Sequence, residues 1–251
     1  MGLNMEKTLS QRDYRILIGA AGWQHPEWAN DVFYPDDLPE DWYLSFYANE
    51  FPIALLPDKQ WDDAVKLEQV IDEITEQATP GFKCVFELDI RGDKSAQQNI
   101  AQLNIAKRVE RLTQITPFLS GLLVLVDVGV FNDEISCNEI VLLEAQFNVC
   151  LQLENAGPES DLTHVMAFCE QHSISVCWKG EGEVIVPEAS KLWMVRCESN
   201  RDNKPLMQQL KLLIAEQLKR ETMSREHVLI IDGSPPKIEA LRNANIMIDI
   251  M

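Results

Sequence analysis

The chain of 251 residues and 28.6 kDa carries 46% hydrophobic and 25% charged residues, enough apolar material for one sizeable core and too much for a disordered protein. Its formal charge of −18, with no dense run of lysine and arginine to offset it, argues against binding a nucleic-acid backbone or an anionic membrane surface. No run approaches the roughly 18 apolar residues of a membrane span, there is no signal-like apolar stretch near Met1, and the six cysteines contain no CxxC pair, so the expected compartment is the reducing cytoplasm.

Residues 1–13 read as a flexible N-terminus and 14–251 as one domain. Eight short apolar runs follow one another: Ile16–Ala20, Ile53–Leu56, Phe82–Leu88, Leu122–Val126, Val149–Leu153, Ile174–Trp178, Leu192–Arg196 and Val228–Ile231. Most are followed by an amphipathic stretch, and that alternation predicts an α/β protein, a single (β/α)8 barrel of the TIM type, an architecture that takes about 250 residues.

Taken in order, strand one leads into Gly22–Glu40, rich in Trp, Pro and Asp and too long for a simple connection, which is expected to fold over one end of the barrel. Helices are expected at Asp41–Glu50 and at Trp61–Ala78, the latter with Val65, Val70, Ile71 and Ile74 on its buried face; Pro57 stops strand two between them. Strand three leads to a helix over Ser95–Ile115, capped by Ser95 and buried through Ile100, Leu103, Val109 and Leu112. Strand four, LLVLV, is apolar throughout, as a strand covered on both faces should be. Helices over Asn138–Gln146 and from a capping Asp161 to His172 flank strand five. The connection after strand six, Lys179–Lys191, has no helical period, so a reduced or missing helix is expected between strands six and seven. Helices over Lys204–Arg220 and Lys237–Asn243 complete the pattern. Lys107, Arg108 and Arg111, beside Glu110, read as a solvated helix face.

In such barrels the reactive groups stand at the carboxyl ends of the strands, where the loops converge. Those positions here are Trp23 and His25, Glu87 and Asp89, Asp127, Glu154, Lys179, Arg196 and Glu198, and Asp232. Glu87 and Glu154 are the candidate catalytic carboxylates, since two acids in one cavity can divide acid and base work. Trp23, His25, Lys179, Arg196 and Asp232 are the candidate ligand-binding residues, with the two cations able to grip a phosphate or carboxylate. The rival reading is structural: acids after strands cap helices, and each cation pairs with a neighbouring acid, Arg196 with Glu154 or Glu198 for example. No GxSxG, HExxH, P-loop or GxGxxG is present, so no cofactor and no metal site is assigned. Residues 23, 28, 33 and 34 could line a pocket or equally pin the long loop.

The segment Ile18–Phe51 resembles the opening of the domain-of-unknown-function 72 family, which is built as a TIM barrel. Gly19, Gly22, Trp23, Trp28, Phe33–Tyr34–Pro35, Leu44, Tyr47, Ala48 and Phe51 carry the resemblance, with weaker echoes at Pro80–Gly81–Phe82, Val195–Arg196 and Asn243–Ala244. The departures fall at strand ends where the family carries polar residues. A Glu and an Asn on strand two correspond to Leu55 and Pro57, and a Lys on strand three to Glu87. The Gln ending strand four is lost in LLVLVDV, a Glu-x-Arg on strand five corresponds to Gln152-x-Glu154, and a Thr/Ser pair to Ala20–Ala21; Arg196 is retained. The resemblance thus implies a soluble, bacterial-type barrel whose polar site is largely lost, a possible pseudoenzyme that binds a small polar or anionic ligand at the carboxyl face. Two alternatives stand beside it: a hydrolase- or lyase-type enzyme using a carboxylate pair or a divalent metal there, and a protein-interaction module using the Trp23–Tyr34 loop.

Overall fold

The computed structural model describes residues 16–91, 106–132, 134–155, 162–180, 184–199 and 225–249. Eight strands, β1 (Ile16–Ala21), β2 (Ile53–Leu56), β3 (Lys83–Asp89), β4 (Leu119–Asp127), β5 (Val149–Glu154), β6 (Ser175–Val176), β7 (Leu192–Glu198) and β8 (Glu226–Asp232), pair in parallel in the order β6-β5-β4-β3-β2-β1-β8-β7. The ring is completed at β6 and β7 by a single bridge between Trp178 and Val195. There the chain changes partner within one residue: Cys177 N–H donates to Leu151 O of β5 at 2.7 Å, and Trp178 N–H to Met194 O of β7 at 3.0 Å. That change of partner is why the predicted strand Ile174–Trp178 shortens to two paired residues. The described part of the following connection, residues 184–191, holds a turn and no helix, as expected.

The expected elements recur with shifted ends. Asp63 accepts from the amides of Val65 and Lys66, both at 2.9 Å, so the second helix begins at Ala64 rather than Trp61 and runs Ala64–Gln77. Its buried face is Leu67, Ile71 and Ile74, whereas Val65, expected inside, is 68% exposed in the first turn. Trp61 is released from the helix into the core, where its ring lies under the Arg108 guanidinium at 4.1 Å. Arg108 also pairs with Asp58 at 2.8 Å, which makes it a tie from the helix of residues 106–111 to the segment after β2 and not part of a solvated face. The other described α-helices are Tyr43–Glu50, residues 106–111, Glu134–Glu144, Thr163–His172 and Ile238–Asp249. The Ser95 and Asp161 caps, the helix over Lys204–Arg220 and residues 1–13 lie outside the described residues. No helix among the described residues is long and apolar enough to cross a membrane.

Two apolar layers follow from the alternation of side chains along each strand. Leu17, Ile53, Leu55, Val85, Leu123, Leu125, Cys150, Met194 and Ile230 are among those that fill the barrel interior, and a larger layer joins the strands to the helices. Adjacent strands come so close at Gly19 that a Cβ there would lie 1.7 Å from the carbonyl oxygen of Ile53, so only glycine fits. All six cysteines are free, and five of them are buried.

The long loop after β1 is pinned by its own rings. Trp23, Trp28, Phe33 and Tyr34 are at most 6% exposed. Trp28 donates from Nε1 to Pro236 O at 2.9 Å, and Tyr34 donates from Oη to Trp23 O at 2.5 Å. These rings are therefore core, and the alternative that used them to dock a partner loses its surface.

Candidate functional site

Because the inward positions of β3 are Val85, Glu87 and Asp89, and those of β5 are Cys150, Gln152 and Glu154, the apolar filling of the barrel gives way to polar side chains near the strands' carboxyl ends. Arg196, on β7, is the hub. Its Nη1 donates to Glu87 Oε2 at 2.7 Å and to Gln152 Oε1 at 3.2 Å, and its Nε to Asp232 Oδ2 at 2.7 Å. One guanidinium thus ties β3, β5 and β8 to β7. Burial works to lower its pKa, but the carboxylates of Asp232 and Glu87 outweigh that and hold it above the ordinary arginine value.

Glu154 is the centre of the second half of the mouth. It accepts from Lys179 Nζ at 2.8 Å and from Gln152 Nε2 at 2.6 Å through the same oxygen, and Arg91 stands 3.9 Å from the other. Burial would raise its carboxyl, yet the hydrogen bonds from Lys179 and Gln152 prevail and hold it below the usual carboxylate range. Asp89 grips Arg91 in bidentate fashion at 2.8 and 2.6 Å, which lowers its pKa as well. Asp127 stands apart, accepting from Asn155 Nδ2 at 2.7 Å.

Of the sequence-predicted residues, Glu87, Arg196 and Asp232 meet in one cluster and Glu154 and Lys179 in an adjoining one. The pairing of Arg196 suggested from the sequence, with Glu154 or Glu198, is replaced by Glu87 and Asp232. His25 sits at the rim: its Nε2 lies 2.9 Å from Ala21 O and its ring packs at a tilt against Trp28, with centroids 4.3 Å apart. Burial lowers its pKa, and the carbonyl partner requires the neutral ring to carry its proton on Nε2. Trp23 does not line the mouth. Its indole is 2% exposed, donates to Glu73 Oε1 at 2.7 Å and packs edge-on against Phe82. Its assignment as a ligand-binding residue is corrected accordingly, because a ring buried to that extent has no face left for a ligand.

Three polar residues were missed as site candidates. Gln152 is 4% exposed and joins the two clusters; the two-residue alternation of β5 places it on the face of Glu154 and was the signal available. Arg91 lies beyond the end of β3. Gln60 follows β2 and lies beside His25: a Cβ on Gly22, whose φ is +77°, would meet Gln60 Nε2 at 3.1 Å and His25 Nε2 at 3.5 Å. Among the described residues no three His, Cys, Asp or Glu side chains gather as a set that could hold a metal ion. A groove of about 850 Å3 lies elsewhere, on the flank between Glu40–Tyr43 and the Ala64–Gln77 helix, and none of the mouth residues lines it.

Residues 17–114 match the family described as a protein of unknown function, DUF72. Among solved structures, a crystal structure of a DUF72 family protein from Thermotoga maritima superposes with a TM-score of 0.62 at 12% identity, covering 94% of this chain and 98% of that one. At that identity the likeness speaks for the shared fold. No curated protein matches the sequence.

Proposed function

We propose, from the similarity of residues 17–114 to the DUF72 family, that this chain is a divergent member of that family and a binding barrel whose carboxyl-end mouth receives a small polar ligand without catalysing its conversion. The observation that supports this is the self-satisfaction of the mouth: Arg196, Lys179 and Arg91, the three cations described there, each already grip a carboxylate at 2.6 to 2.8 Å. An anion would have to displace those carboxylates, so the ligand that fits is polar and able to donate hydrogen bonds to them. Glu87, Gln152, Arg196 and Asp232 form the floor, Glu154 and Lys179 the rim, and His25 with Gln60 a neutral side wall.

The enzymatic reading retains one favourable observation, the meeting of Glu87 and Glu154 at one mouth through Gln152 and Arg196. Against it, a general acid needs a carboxyl that stays protonated near neutrality, whereas Glu154 is held in the ionised form. The test is titration of labelled protein with propylamine, glucose and citrate, followed by NMR. Propylamine or glucose should move the side-chain signals of Gln152 and Arg196, and citrate should not. Shifts confined to the flank, or a turnover abolished by Glu87→Gln and Glu154→Gln, would overturn the proposal.

A further inference from the structure

We infer that Gln152 is a positioning residue that couples the two ion-pair clusters of the mouth, so that a change of charge at the rim is felt at the floor. The inference rests on reading that mouth as the functional site. A side-chain amide has one acceptor end and one donor end, and here each faces a charge of the matching sign: Oε1 accepts from the Arg196 guanidinium at 3.2 Å, and Nε2 donates to the Glu154 carboxylate at 2.6 Å. Turning the amide over would set its donor against a guanidinium and its acceptor against a carboxylate, so the orientation is fixed by both neighbours. At 4% exposure the side chain has little recourse to solvent, whereas Lys179 at the rim is 47% exposed along its side chain and Arg196 at the floor 17%. Water therefore reaches the rim pair first, and among the described residues the amide is the side chain that hydrogen-bonds to both clusters, one at each end.

Neutralising Glu154 would remove the acceptor that holds Nε2 and loosen the acceptor offered to Arg196, leaving the guanidinium to Glu87 and Asp232 alone. The groups that face Glu154 are Lys179 beyond β6, Arg91 beyond β3 and Asp127, its register partner on β4; those that face Arg196 are Glu87 on β3, Asp232 on β8 and the Cys177 thiol. The Cys177 thiol also lies in the field of Glu154 and Lys179, but burial holds it neutral, so the hydrogen-bonded link between the two clusters is Gln152.

The experiment is a pH titration of 13C,15N-labelled protein without ligand, following the Glu154 side-chain carboxyl and the Arg196 Nε–H together. In the wild type the Arg196 signal should shift with the Glu154 midpoint. In Gln152→Leu, or in Gln152→Met if the leucine variant does not fold, the Glu154 midpoint should rise by about 0.5 to 1 pH unit and the Arg196 signal should no longer follow it. An Arg196 signal that ignores Glu154 in the wild type, or that still follows it in the variant, would overturn the inference. Since no ligand is present, a failure of propylamine and glucose to bind strikes the proposed function alone.

Discussion

Arg196 reaches three other strands from β7, and the carboxylates it holds would otherwise face each other in a narrow, largely apolar barrel. Replacing it by methionine keeps much of the volume and strands Glu87 and Asp232, so Arg196→Met should lower stability by roughly 3 to 5 kcal/mol in urea unfolding at neutral pH. Two titrating groups remote from the mouth act in opposite directions. Burial, with help from Arg225, lowers His227 to about 4, so the unfolded chain takes up this proton first, and the contribution of the neutral ring is lost as pH falls from about 6.5. Burial raises Glu144, whose Oε2 accepts from Val149 N–H, to about 7, so its contribution is full below about 4.5 and is lost as pH rises through 7. The two slopes oppose each other between those limits. Compared with the wild type across pH 5 to 6.5, His227→Phe should make stability fall more with rising pH, and Glu144→Gln should make it rise more; melting temperatures at matched pH give the check.

Among the elements, the β6 to β7 connection does without a described helix and depends on one buried arginine. Arg225, 8% exposed, donates from Nε to Ser190 O at 2.9 Å and from Nη2 to Pro187 O at 2.7 Å and Glu188 O at 2.9 Å, and Val176 N–H reaches Ile185 O at 2.9 Å. Arg225→Met should cost about 3 kcal/mol or more, and hydrogen exchange should speed up first at the amides of Val176 and Trp178, where the barrel is joined by least pairing. The eight strands were legible because runs covered on both faces are apolar throughout, as LLVLV is, and because Pro57 ends β2 where expected. Helix starts were less so. Trp61 and Val65 carry the right apolar character, but whether a ring enters the helix or the core is decided by Asp63 capping and by Arg108, which lies 47 residues away in the chain from Trp61. The Trp23 loop illustrates the same limit: four rings in one loop suit a pocket or a plug equally, and only the partners at Glu73 and Pro236 decide for the plug.

At the scale of the whole molecule, closure of the sheet makes neighbours of positions as far apart as 87 and 196, and the mouth was legible to that extent. Its pairing was not, because the choice of Glu87 and Asp232 over Glu154 for Arg196 depends on register between strands, which no single strand's sequence records. The most direct measurement is a double-mutant cycle on Glu87→Gln and Arg196→Met, read by urea unfolding at neutral pH. Residues in contact across the barrel predict a coupling of about 1 to 3 kcal/mol, whereas additivity within about 0.5 kcal/mol would contradict a shared mouth.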